Sequence, residues 1–289
     1  SKELLKLDHE YGRYIARLID RFLREFPIDL IASHGHTVFH YPNERFTYQI
    51  GSGADIAGIT GKKVVTNFRD LDVALAGQGA PLVASVEKKL WSQYNSFLNL
   101  GGIANISFHG AHLKAFDICP FNSLLNHCAG KLGKDFDNQG ILASKGELQN
   151  GLLQNLNDQF IRKSHEAYSL HKDEIVKEYL TYMQDYSAHD SLATLVEHFA
   201  ISISEVIKVL KIEKVLLTGG GAYNEYFISR LKEKLRARIE IPSQSIIEFK
   251  EAICFALMGM LRIKEEAWLK SESTGSSRDS ISGSVWDGR

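Results

Sequence analysis

Apolar residues recur at Leu4, Leu7, Tyr11, Tyr14, Ile15, Leu18, Ile19, Phe22 and Phe26, the three-and-four spacing of an amphipathic helix that Pro27 ends. Short apolar runs follow. "IDLIASHG" reads as a buried strand leaving through Gly35, and "RFTYQIG" and "KKVVTNF" read as two more. Between Phe68 and Val83 the periodicity stops, and "FRDLDVALAGQGAPLV", with Gly77, Gly79 and Pro81 in five positions, predicts an irregular loop. "SFLNL", "ANISFHG" and "HLKAFDI" then predict three short strands, joined at Gly101-Gly102 and at Gly110-Ala111-His112 as an antiparallel meander. Helical spacing returns from Asn122 to Lys131 and from Glu147 to about Lys163, whereas residues 163–190 are polar, mixed and without a readable period. Leu192, Leu195, Val196, Phe199, Ile203, Val206, Ile207 and Leu210 predict a long helix. "EKVLLTGGGAYNEYFISRLKEKL" predicts a buried strand, a triple-glycine turn and another helix. "IEIP" is a last short strand, Phe249 to Trp268 a last long helix, and "SESTGSSRDSISGSVWDGR" a Ser/Gly-rich exit. No repeat at solenoid periods is present.

Composition narrows the class. With 289 residues, 44% of them hydrophobic, the chain buries a large core in one or two domains. A net charge of -1 with 24% charged residues leaves no basic excess for a phosphate backbone or an anionic membrane, so neither nucleic acid nor membrane is expected as a partner. The longest apolar run is broken by Glu197, His198, Ser202, Glu205 and Lys208, short of the roughly 18 to 20 clean residues of a membrane helix. Cys119, Cys128 and Cys254 are odd in number and form no CxxC pair, which fits free thiols and a cytoplasmic location. His34, His36 and His40 in "SHGHTVFH" lack further ligands at metal spacing, so no metal site is expected there. The chain opens in helix without an initiator Met or signal segment, and its start reads as clipped.

Candidate chemistry sits in three places. Gly219-Gly220-Gly221, between an apolar strand and a helix, lets backbone N–H groups approach an anion, although a plain tight turn explains the same residues. Neither GxxxxGK[ST] nor GxGxxG with its distant acid occurs. Asp117 ends a strand carrying Leu113, Ala115 and Phe116, and Pro120 turns the chain out of the sheet; a rigid strand end holds a proton-accepting carboxylate still. The competing reading is a helix cap, for which Asn122 is already available. The glycine- and proline-bearing loop after Arg69, a planar donor for carboxylate or phosphate, reads as substrate-lining. "RLKEKLRAR" and "RIKEEAWLK" read as solvated helix faces.

Taken in order, "SHGHT", "GQGAPLV", "LNLGGIANIS", "FDICPFN", "FDNQGILASKG", "LLTGGGAYN", "KEAICFA" and "TGSSRD" resemble the anhydro-N-acetylmuramic acid kinases, within the actin, Hsp70 and sugar kinase superfamily, over nearly the whole chain. The resemblance implies an α/β fold of two RNase H-like lobes, residues 1–93 plus 271–289 and residues 94–270, with ATP bound in the cleft. The implied reaction opens a 1,6-anhydro amino sugar from cell-wall turnover at C1 while O6 receives the γ-phosphoryl group. It implies Asp117 as the base that activates water, with magnesium accompanying the nucleotide. Gly101, Gly102 and Asn105 correspond to the second-lobe phosphate hairpin, and Gly219, Gly220, Gly221 and Asn224 to the nucleotide-side turn. His34, Thr37, Arg69, Asp72, Gln78 and Glu251 fall in motifs that line the sugar pocket, and a homodimer is the implied assembly.

The chain departs from relatives in three ways. They open with a Ser/Thr/Gly/Asp-rich phosphate loop that this sequence lacks, "FDICPFN" stands for Asp-Thr-Gly-Pro-Gly-Asn, and Asn67 stands where aspartate is common. The missing loop motivates a second class of function, a catalytically silent sugar- or nucleotide-binding module on the same scaffold. A third class, a glycoside hydrolase using Asp117, needs a second carboxylate across the scissile bond and leaves the triple glycine without a role.

Overall fold

The computed structural model describes residues 1–160 and 172–289. In chain order the elements are α1 (Lys2–Leu23), β1 (Leu30–Ala32), β2 (His36–Tyr41), β3 (Phe46–Ile50), α2 (Gly53–Thr60), β4 (Lys63–Thr66), α3 (Asp70–Ala74), α4 (Ala84–Leu90), β5 (Ser96–Leu100), β6 (Ala104–His109), β7 (Leu113–Cys119) and α5 (Phe121–Gly130). They continue with α6 (Asn150–Phe160), α7 (Lys172–Tyr182), α8 (Ala188–Val209), β8 (Lys214–Thr218), α9 (Glu225–Lys234), β9 (Arg238–Glu240), α10 (Gln244–Ile263), α11 (Ser271–Thr274) and β10 (Ser284–Trp286). The polar stretch without a readable period begins in residues 161–171, which lie outside the described residues; its remainder forms α7 and the start of α8.

The chain divides into two compact units, residues 1–91 with 251–289, and residues 92–250. The return to the first unit thus falls at residue 251 inside α10, not at 271 as the motifs suggested. The reason is packing: Cys254, Phe255, Met258 and Leu261 join Val65, Phe68, Leu82, Val86 and Trp268 in one buried cluster, and a helix cannot leave a core its own residues fill.

In the first unit β1 runs parallel to β4 and β10 antiparallel to it, with Ile31 opposite Val64 and Val285 opposite Val65, while β2 and β3 form a separate hairpin. The C-terminal segment is therefore not a plain exit. It supplies a strand and a set of buried hydroxyls, including Ser273, Thr274, Ser276, Ser280 and Ser282. Helix α1 forms as its periodicity predicts, but its contact with α2 is made at Gly12 and Ala16, where a Cβ on Gly12 would lie 2.9 Å from the Ser52 backbone. Tyr14, Leu18 and Phe22 on the same helix, and Phe26 just beyond it, stay exposed. The predicted irregular loop after Phe68 contains a short helix, α3, before the chain opens at Gly77.

The second unit carries a five-stranded sheet in the order β7-β6-β5-β8-β9. Strands β5, β6 and β7 are the antiparallel meander, and β8 and β9 run parallel to β5, which is the strand order and direction of an RNase H-like half. Leu98, Leu100, Ile106 and Leu217 project from one face onto α8, whose Leu192, Leu195, Phe199 and Ile203 are fully buried. Each such side chain contributes roughly 1.5–3 kcal/mol on burial, so this face fixes the sheet and leaves its other face to carry polar groups.

Candidate active site

Parallel neighbours β5 and β8 end beside each other, and a glycine turn follows each: Gly101-Gly102 after Leu100, Gly219-Gly220-Gly221 after Thr218. Ligands in α/β sheets gather outside such carboxyl ends. The pairing register adds a second feature. Thr218 lies opposite Asn99, Asn99 opposite Asn105, and Asn105 opposite Asp117. Directly paired residues share a face, so the four form a polar row across β8, β5, β6 and β7, with the carboxylate at its end. The ladder skips at Ile118, since Ala104 pairs with Cys119 but Asn105 with Asp117. This bulge re-aims the half-buried Asp117 relative to the strand that follows it.

The glycines are required by this packing. Gly219 has φ 84°, and a Cβ there would lie 2.7 Å from the Leu100 carbonyl and 2.8 Å from Asn99 Oδ1; one on Gly101 would lie 3.2 Å from Asn99 Nδ2. The Asn99 amide thus sits between the two turns. Gly221 presses on Phe121 and Leu100 and is structural, whereas Gly220 is exposed and meets nothing closer than Asn122 Nδ2 at 3.8 Å. Asn224 is buried and caps α9, its side chain accepting from the Phe227 amide at 3.0 Å. Asn122 does not cap α5. Its Nδ2 donates to the Leu100 carbonyl at 3.0 Å and ties the helix to the hairpin. Against this hairpin lies a cavity of about 670 Å³ lined by Gly101, Gly102, Asn122, Ser123, Asn126 and Lys177.

The first unit assembles a separate polar cluster. Arg69 donates from Nη1 to the Gly79 carbonyl and from Nη2 to His34 Nε2, the latter at 3.1 Å. Phe255 stacks on the His34 ring at 4.7 Å between centroids, and Glu251, one turn earlier on α10, is close enough to favour the Arg69 cation against its desolvation. Burial, and secondly the Arg69 charge, lower the His34 pKa to about 4, so this imidazole is neutral at ordinary pH. Since Nε2 accepts from Arg69, the ring proton is on Nδ1, which is buried without an aligned partner; Arg69 Nε is left over in the same way. Asp72 takes no direct part: fully buried, it accepts from the Gly79 amide at 2.7 Å and the Thr274 hydroxyl at 2.7 Å, and only glycine at 77 clears its carboxylate. Gln78 stays exposed while its amide donates to the Thr274 carbonyl at 2.7 Å.

Of the residues predicted for a sugar pocket, His34, Arg69, Gln78 and Glu251 therefore cluster, Asp72 shapes their loop from below, and Thr37 stands on β2 opposite Gln49. The sequence reading weighed His40 only as a metal ligand; it bonds Thr47 Oγ1 at 3.0 Å and the Gln78 backbone, and its pKa is lowered by burial and Arg69. The sequence reading passed over Asn99, Thr218, Ser123 and Lys177. Asn99 and Thr218 each stand immediately before a glycine turn or one residue from it, the one signal that singles them out. Among the described residues no group of three or more His, Cys, Asp or Glu converges as a metal site, and no helix is long and apolar enough to cross a membrane.

Comparison with known proteins adds to this geometry. Residues 2–288 match the family model described as anhydro-N-acetylmuramic acid kinase. Proteins of that name from Streptomyces avermitilis, Idiomarina loihiensis and Coxiella burnetii are 33%, 32% and 32% identical, over 98%, 98% and 96% of this chain and 78%, 83% and 80% of theirs. Among solved structures, the activator of the 2-hydroxyisocaproyl-CoA dehydratase from Clostridium difficile with bound ADPNP superposes with a TM-score of 0.42 at 15% identity, over 64% of this chain and 66% of that one.

Proposed function

The chain belongs to the anhydro-N-acetylmuramic acid kinase family, and from that premise we propose that it is a carbohydrate kinase in which Asp117 is the base for opening the anhydro ring. The reaction converts the 1,6-anhydro sugar, water and ATP into N-acetylmuramic acid 6-phosphate and ADP, a step of cell-wall recycling. The observation that carries the role of Asp117 is its position at the end of the Thr218–Asn99–Asn105–Asp117 row, on a bulged strand of the sheet whose β5 and β8 open into the two glycine turns.

Asp117 takes a proton from water as the water oxygen bonds to C1; the C1–O6 bond breaks, and its electron pair stays on O6, which accepts the phosphoryl group. Asn105 stands directly opposite it across the ladder. ATP, when bound, supplies the phosphoryl group, and the residues suit a polyphosphate: Gly102 and Gly220 are exposed, and Gly220 leaves backbone approachable. Magnesium prefers to enter with phosphates rather than sit in an all-protein cage. In the first unit the Arg69 fork and the His34 Nδ1 proton orient sugar oxygens, while Asp72 acts by holding Gly79. The family match spans both glycine turns and Asp117, so the silent-module reading is not favoured. A cytoplasmic, homodimeric enzyme completes the reading.

Asp117→Asn keeps size and polarity but removes the proton acceptor. We expect sugar phosphorylation to fall about a thousandfold, within the range for loss of a general base, with the thermal midpoint unchanged. Turnover retained within tenfold would overturn the assignment.

A further inference from the structure

We infer that Lys177 and Ser123 form an anion subsite in the cavity beside the Gly101-Gly102 hairpin, binding an oxyanion of one of the two substrates. This rests on the kinase reading for the identity of the ligand but not for the chemistry of the pocket. Six of the residues lining the space are Gly101, Gly102, Asn122, Ser123, Asn126 and Lys177. None of these six is acidic, and Lys177 is their only cation. It is exposed and forms no ion pair among the described residues. An ammonium side chain lining one cavity with amide and hydroxyl side chains makes a point-charge donor set for phosphate or carboxylate.

The donors nearest the hairpin are already used elsewhere. The amides of Asn122 and Ser123 donate to the carbonyls of Gly101 and Gly102 at 3.1 and 3.0 Å, and Asn122 Nδ2 is held by Leu100. The start of α5 therefore has little left to offer through its first amides, and recognition passes to side chains. Ser123 Oγ is buried with no hydrogen-bond partner, an expensive state for a hydroxyl unless a ligand completes it. A Cβ on Gly102 would come 2.9 Å from that oxygen, so only glycine fits beside the hydroxyl. Lys177 is held in place by its helix: on α7, Tyr179 is 1% exposed and stacks on Phe160 at 3.8 Å between centroids, and Met183 just past the helix end is 1% exposed as well.

Two anions fit this chemistry, a phosphate of the nucleotide and the carboxylate of the muramic acid side chain. Steady-state kinetics on the full chain with Lys177→Gln, Lys177→Arg and Ser123→Ala separates them, using ATP, 1,6-anhydro-N-acetylmuramic acid, and 1,6-anhydro-N-acetylglucosamine, which lacks the carboxylate. For a nucleotide subsite, Lys177→Gln raises the KM for ATP about tenfold with either sugar. For a carboxylate subsite it raises the KM for the muramic sugar about tenfold and leaves that of the glucosamine analogue alone. In both cases Lys177→Arg restores most of the loss, and Ser123→Ala shifts the same KM in the same direction. If all three KM values stay within twofold of wild type in Lys177→Gln and Ser123→Ala, the subsite is refuted. Calorimetry with inorganic triphosphate on wild type and Lys177→Gln gives a readout without turnover. A wild-type chain that phosphorylates no sugar yet binds triphosphate through Lys177 sinks the kinase reading and keeps the subsite, whereas binding unaffected by Lys177→Gln together with unaffected sugar KM values sinks the subsite alone.

Discussion

Two histidines, the half-buried His34 in the first unit and the fully buried His198 in the second, share a charge state and differ in how their ring nitrogens are satisfied. His198, on α8, accepts from the Tyr179 hydroxyl at Nε2 (2.9 Å) and faces Asn157 Oδ1 with Nδ1 (2.7 Å), so both ring nitrogens are satisfied. His34 accepts from Arg69 at Nε2 but has no aligned partner for Nδ1, and Arg69 Nε beside it is also unmatched. Burial lowers both pKa values, to about 3 and about 4. A depressed histidine pKa therefore marks burial in either place, and what separates the two sites is the leftover donors, on which the proposed sugar contact rests. The same contrast holds around them: Glu197 near His198 is fully engaged by Arg230 and Lys234, while the first unit leaves Gln49 Oε1 unmatched as well.

The contrast is tested most severely at Arg69. Arg69→Lys keeps the charge but loses the fork that reaches Gly79 and His34 at once, and we expect kcat/KM for the sugar to fall about a hundredfold, close to 2.7 kcal/mol of transition-state stabilisation, with the melting temperature within a few degrees of wild type. A change below threefold in the sugar kinetics would mean that the leftover donors serve no ligand. At His198 the effect should reverse. His198→Leu strands the Tyr179 hydroxyl and the Asn157 carbonyl oxygen in a packed core, and urea unfolding should register a loss of about 2–4 kcal/mol, with turnover per folded molecule nearly unchanged. Lost turnover with intact stability would invert the comparison.

The smallest effect is on pH dependence. Both histidines have folded pKa values below the unfolded 6.5, so the unfolded chain takes up protons first and stability, complete above pH 6.5, is lost as pH falls toward 4. At pH 6.0 each contributes a loss of about 0.8 kcal/mol. The slope of unfolding free energy against pH should drop by nearly one proton in His198→Leu, as read by urea titrations between pH 7 and 5. An unchanged slope would show that His198 is not held neutral by the core.

Much of this was legible in the chain itself. The meander, both glycine turns and the buried α8 follow from apolar spacing, and Asp117 stood out because a charge rarely ends an otherwise apolar strand without purpose. The transverse row was not legible, because strand register is settled by pairing between segments more than a hundred residues apart, as for Asn99 and Thr218. The Ser-rich C-terminal segment misled in a different way. Serines show no hydrophobic period, yet Ser282 donates to the Phe68 carbonyl at 2.7 Å and Thr274 to Asp72, partners some 200 positions away. Asp72 and Asn224 were legible as important residues but not as scaffold, since motif matching finds a position and not the direction its side chain takes.

Those long-range hydroxyl bonds bear on the order of assembly during synthesis. Residues 92–250 form an uninterrupted stretch, able to close its core once that stretch has left the ribosome. The stretch made before it cannot: Asp72 waits for Thr274, Phe68 for Ser282, and β4 for the antiparallel edge that Val285 brings. Residues 1–91 are thus completed only once residues 251–289 have joined them, and Arg69, tied to Gly79 and through it to Asp72 and Thr274, is locked in place only then.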